Sequence, residues 1–158
     1  MWNPFKSYAD KAKGIIDRNK YMVVATSGKD SKPWCAPVFY AYDDEFSFYF
    51  VSATDSLHVQ NINENSQVSL VIFDSQQPIG SSDQVQIIGT VKLVEKEQAN
   101  KALELYHERL FKVSGIPTTK NYNIDEYVEP SEFRIFKVAV IKAYTNGPDR
   151  RVEINLKD

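Results

Sequence analysis

One cysteine, two histidines and no run of basic residues are what this chain has in short supply, and each shortage excludes a class of function. Cys35 has no intrachain partner, so the disulfide framework of small secreted domains is absent. His58 and His107 stand far apart with a single cysteine, which is not metal-ligand spacing, and no metal is expected. Nineteen basic residues against twenty-one acidic ones give a formal charge of −2 without a cationic tract, so nucleic acid is not expected as a partner. No stretch of about 18 apolar residues occurs, and the N-terminus has no apolar signal-type segment, which leads to an expectation of a soluble, cytoplasmic protein without membrane contact. Also missing are a nucleophile motif and paired acids with evident roles. Any chemistry is therefore expected to come from a bound cofactor.

The 158 residues that remain to be explained read as one domain over 1–158, with an N-terminal helix in 1–19, a barrel in 20–145 and a tail in 146–158. Asn3 before Pro4 suits a helix start, and Phe5, Tyr8, Ala12, Ile15 and Ile16 make one apolar face up to about Arg18. Tyr21 to Ser27 is β-branched and aromatic, and a polar turn leads to a second strand over Trp34 to Asp43. Pro37 removes a ladder donor from that strand, which argues for an open edge or a bulge. Phe46, Phe48 and Phe50 alternate along a third strand, and Asp55 to Glu64 reads as a short helix anchored by Leu57 and Ile62. Val68 to Phe73 is a continuous apolar run of the kind buried on both faces. Gln84 to Val94 is a strand interrupted at Gly89, where a bulge or a close backbone approach is expected. An amphipathic helix over Glu97 to Phe111 follows, then a polar segment 113–130 that is expected to act as a lid or pack at an interface, and a last strand over Phe133 to Tyr144. With strands this dominant and helices this few, the class is mainly β: a mostly antiparallel sheet closed into a small barrel with flanking helices.

The most informative stretch runs from Trp34 to Ile62. Two aromatic strands feed into SATDSLHVQNI, where hydroxyls and a histidine gather at a helix start, and a helix N-terminus favours an anion such as a phosphate. The plain alternative for Ser52, Thr54, Ser56 and His58 is an N-cap cluster with an exposed histidine.

A strand with Ala25-Thr26, a turn, a strand with Pro37-Val38, an aromatic strand, the S-x-x-x-S-x-H-x-x-N-I series from Ser52 to Ile62, an apolar strand and V-Q-x-x-G over Val85 to Gly89 follow one another in that order. In this the chain resembles the pyridoxamine 5′-phosphate oxidase-like family, the flavin-binding split barrels, over about residues 15–95 and more loosely in the last strand. The resemblance implies a homodimer of six-stranded antiparallel Greek-key split barrels with flavin mononucleotide (FMN) held at the dimer interface, and an oxidoreductase moving hydride or electrons to or from a small substrate. It implies that Ser52, Ser56 and His58 face the flavin phosphate, that Gln86 reaches the phosphate or ribityl chain, and that Trp34, Ala36, Pro37 and Val38 line the ring. Many relatives carry Lys or Arg where His58 stands. Counterparts of the substrate-binding residues of the vitamin B6 enzymes are not evident, so that activity is not carried over.

Several residues keep a second reading. A non-catalytic module holding flavin, the deazaflavin F420 or haem is the alternative function, and haem would need His58 or His107 as its axial ligand. Trp34 also reads as a core or interface aromatic, and Gln86 as a solvated strand residue. Cys35 alternates with Trp34 and reads as a small buried hydrophobe, while His107 reads as a solvated residue on its helix. Arg150 and Arg151 are either solvated tail charges or a cross-dimer contact to an anionic group.

Overall fold

The computed structural model describes residues 7–116, 122–147 and 149–158. The expected helix start at Asn3 and Pro4, with Phe5, lies outside the described residues. Helix α1 (Tyr8–Arg18) is capped by Ser7, whose Oγ accepts from the Asp10 N–H at 3.1 Å, and it buries Ala9, Ala12, Ile15 and Ile16.

The strands are β1 (Tyr21–Ser27), β2 (Pro33–Phe39), β3 (Ala41–Tyr42), β4 (Phe48–Ala53), β5 (Gln67–Phe73), β6 (Gln84–Leu93), β7 (Phe133–Asn146) and β8 (Arg151–Ile154). They form one antiparallel sheet in the order β2-β1-β5-β6-β7-β4-β3, with β8 added to β7. The sheet curls until β2 lies against β4, a pair that is not hydrogen-bonded. This split is the opening of the barrel. Pro37 sits on β2, an edge strand of the sheet, in line with the open edge its missing donor implied.

The alternation of each strand fills the interior: Met22 and Val24, Val38, Phe48 and Phe50, Leu70 and Ile72, Val85 and Ile87, and Phe136 and Val138 all belong to one core. Helix α1 packs against β5, β6 and β8. Helix α2 (Leu57–Glu64) closes the region where β1 ends and β2 begins. Its anchors are His58, Val59 and Ile62, whereas Leu57, read from sequence as an anchor, is 45% exposed. Helix α3 (Lys96–Ser114) lies outside the barrel over a second core with Tyr49, Ile135, Val94, Ala99, Ala102, Leu103 and Val128. Part of the 113–130 segment joins it, since Tyr122, Ile124 and Tyr127 pack against this core, while 117–121 lies outside the described residues.

Further sequence expectations change. The second strand is two, β2 and β3, separated at Tyr40, whose buried phenol donates to the Ile16 carbonyl at 2.6 Å. Strand β5 is buried on one face only: Val68, Leu70 and Ile72 point inward while Ser69 and Phe73 are exposed. Its continuous apolar run therefore marks a half-covered strand with an apolar outer row. Cys35 is exposed on that outer face, because the barrel interior takes the other parity of β2. His107 is not solvated: its ring stacks on Tyr122 at 4.6 Å between centroids, and burial lowers its pKa. The Gly89 expectation holds, with a register shift between Ile88 and Gly89 and the Ala139 carbonyl 2.7 Å from where a Cβ would stand.

Candidate functional site

Strand β4 ends and α2 begins at the same end of the split as the start of β2. Phe50 and Ser52 share a parity, so Ser52 points toward the interior at the end of the barrel. Its Oγ lies 2.7 Å from His58 Nε2 and 3.1 Å from Ser56 Oγ, and the Ser56 hydroxyl donates to the Ala53 carbonyl at 2.8 Å. Ser52 and His58 are both buried. Three residues separated in sequence thus converge on one polar cluster. Thr54 does not join it, being exposed with its N–H donating to the Glu132 carbonyl.

The simple capping explanation fails on geometry. Ser56 is the N-cap residue of α2, yet its side chain makes no cap hydrogen bond. A capping serine accepts from the N–H groups of the first turn. Here the hydroxyl turns toward Ser52 and Ala53 instead, leaving the first turn of α2 without a side-chain acceptor. Those donors, the positive end of the helix and the hydroxyls form a donor set suited to an anionic oxygen group. His58 contributes no fixed charge, because burial lowers its pKa and favours the neutral ring.

Helix α2 is tied to the open edge. Asn61 Nδ2 donates to Thr26 Oγ1 at 3.1 Å, Thr26 Oγ1 donates to the Trp34 carbonyl at 3.5 Å, and Asn65 Nδ2 donates to the Ser27 carbonyl at 3.2 Å. Trp34, 46% exposed, therefore stands at the same end as the cluster. Ala36 and Val38 are buried side chains of the barrel interior, so only their backbone is open to a ligand, and Pro37 points to the opposite face.

Gln86 is not part of this cluster. It lies on the outer face of β6 and accepts from Arg151 Nη1 at 3.1 Å, and the Arg151 guanidinium lies 5.0 Å from the centre of the Tyr144 ring. With Val23, Ala25, Cys35, Ser69 and Val71 these residues line a shallow depression on the outer sheet face. Arg151 is thereby a strand residue of β8 rather than a free tail charge, while Arg150 is exposed. The residue that sequence reasoning missed is Arg134, which β7 pairs directly opposite Ser52. Only the pairing of two strands more than eighty positions apart reveals it.

The model of the pyridoxamine 5′-phosphate oxidase family matches residues 8–147. A UPF0306 protein of Cronobacter sakazakii (strain ATCC BAA-894) is 27% identical over 106 residues, covering 66% of this chain and 73% of that protein. Among solved structures, a heme binding protein from Mycobacterium smegmatis superposes with a TM-score of 0.74 at 16% identity over 99% of this chain, which spans 60% of that longer one. An F420 reductase superposes with a TM-score of 0.60 at 20% identity, over 84% of this chain and 94% of its own. At these identities the two superpositions establish a common fold, the split barrel. No helix among the described residues is long and apolar enough to cross a membrane.

Proposed function

The chain belongs to the pyridoxamine 5′-phosphate oxidase family, and from that premise we propose that it is an FMN-binding oxidoreductase working as a homodimer. The observation that carries the reading is the N-cap of α2, where Ser56 leaves the helix donors open and turns its hydroxyl into the cluster with Ser52 and His58. In this reading those hydroxyls and the α2 N–H groups hold the phosphate, and the exposed edge of β2 from Trp34 to Val38 offers its backbone to the ring. FMN would supply the hydride or electron transfer, which the side chains of this cluster do not provide by themselves. The protein's part is to bind, orient and exclude water.

The outer sheet face supports the dimer. Val23, Ala25, Val71 and Ile88 line a shallow depression on this face, and Gln86 with Arg151 lies beside them, suitably placed to reach a cofactor held by a second protomer.

The relatives also include haem and F420 proteins, but neither histidine here favours haem ligation: His58 Nε2 is engaged by Ser52, and His107 is stacked within tyrosines. The absorption spectrum of the purified protein, followed by titration with FMN, tests the reading. FMN is expected to bind at micromolar concentration or tighter with altered fluorescence. A protein that takes up haem or F420 but not FMN would sink it.

A further inference from the structure

We propose that Arg134 is the permanent cation of the cofactor site, binding the phosphate of FMN beside Ser52, Ser56 and His58; this deepens the flavin reading and rests on it. The geometry comes from the pairing of β4 with β7. Phe50 and Phe136 are opposed in register and stack in the barrel interior at 5.2 Å, and the next pair on the same face is Ser52 and Arg134. Directly opposed residues have Cβ atoms about 4.5–5.5 Å apart, so the guanidinium stem starts beside the hydroxyl cluster.

The arginine is held in a way that leaves it donors to give. Its side chain is only 14% exposed, and Nε donates to the Ser131 carbonyl at 3.2 Å. Its ionic partner is Glu129, with Oε2 3.6 Å from Nη2, and that carboxylate side chain is 87% exposed. An ion pair to so exposed a carboxylate is weak. A phosphate can displace it, because its oxygens match the guanidinium fork in a bidentate fashion and carry more charge than one carboxylate. The remaining site groups cannot replace that charge: hydroxyls and helix N–H groups are dipoles, and buried His58 favours its neutral form. Arg151 is committed to the outer face by Gln86 and Tyr144. A residue that reads as an ordinary strand arginine thus supplies the charge that buried His58 does not.

Comparing FMN with riboflavin, which lacks only the phosphate, isolates this role. Fluorescence titration of the intact protein is expected to show tighter binding of FMN. Arg134→Gln should weaken FMN by about tenfold or more while changing riboflavin less than about twofold, and Arg134→Lys should restore part of the difference. Glu129→Gln, at an exposed position that does not threaten folding, should strengthen FMN about two- to threefold and leave riboflavin unchanged. An FMN preference that survives in Arg134→Gln, or an FMN affinity unaltered or weakened in Glu129→Gln, overturns the role of Arg134 and leaves the flavin reading standing. A wild-type protein that binds neither flavin overturns both, and one that binds both equally overturns the phosphate role alone.

Discussion

His58 and His107 are the residues at which burial and protonation oppose each other. Both have pKa values lowered by desolvation from the ordinary 6.5, so the folded protein resists protonating them and the unfolded chain does not. The sign follows: the unfolded state binds more protons as pH falls, so their contribution to stability is fully present above about pH 6.5 and is lost as pH drops through the folded values. Between about pH 7 and 5 histidine is the principal side chain that titrates. The urea midpoint is therefore expected to fall from pH 7.5 to 5.5, and the double substitution His58→Gln and His107→Gln should flatten that slope; an equally steep slope in the double variant would assign it elsewhere. From sequence His58 read as part of a polar cluster at a helix start and His107 as a solvated residue on its helix, and neither reading called for burial. What separates them from solvent is the Ser52 hydroxyl in one case and the Tyr122 ring in the other. Neither contact has a signature in local spacing.

Two elements are joined by Arg109, which sequence periodicity leaves unremarked among the charges of α3. Its guanidinium donates to the Ile16 and Asn19 carbonyls, each at 2.8 Å, so it serves as the C-terminal cap of α1, and it stacks over Tyr40 and Tyr42 at 4.9 and 4.8 Å. Beside it Asp17 has its pKa lowered, chiefly by the hydrogen bond from Lys112. Arg109→Met keeps volume but removes the charge and the donors. It should lower unfolding free energy by about 2–4 kcal/mol in urea titrations, because buried carbonyls lose a charged donor. At Gly89 the element was legible beforehand, since glycine inside an apolar strand signals a close approach. Gly89→Ala drives a methyl toward the Ala139 carbonyl at 2.7 Å and Val138 Cγ1 at 2.8 Å. A loss of about 1–3 kcal/mol is expected from overpacking, measured as a reduced thermal midpoint; an unchanged midpoint would mean that the bulge relaxes freely.

At the scale of the molecule, the outer face of β1, β5 and β6 carries an apolar row around a shallow depression. Its row of Val23, Ala25, Val71 and Ile88 beside Gln86 and Arg151 is the expected contact between two copies. Light scattering coupled to size exclusion should report a dimer, and Val71→Glu should shift it to monomer while leaving far-UV circular dichroism unchanged. A wild-type monomer at all concentrations would remove the interface and, with it, any role of Gln86 toward a partner's cofactor.

Most strand and helix positions, the open edge at Pro37, the irregularity at Gly89 and the gathering of Ser52, Ser56 and His58 at a helix start were readable from the chain alone, because period-two alternation, missing donors and short-range spacing are local properties; the break at Tyr40 and strand β8 were not. Closure of the barrel decided the rest. Which face of β5 is buried, where Cys35 points and whether Gln86 meets the hydroxyl cluster depend on how the sheet curls and on which helix covers which side. That Ser56 declines to cap its own helix follows from the turn at the end of β4, which puts its hydroxyl against Ser52 and the Ala53 carbonyl, and that Arg134 stands across from Ser52 follows from pairing between strands distant in sequence. Local alternation cannot encode a partner eighty residues away; only the register of the folded sheet does.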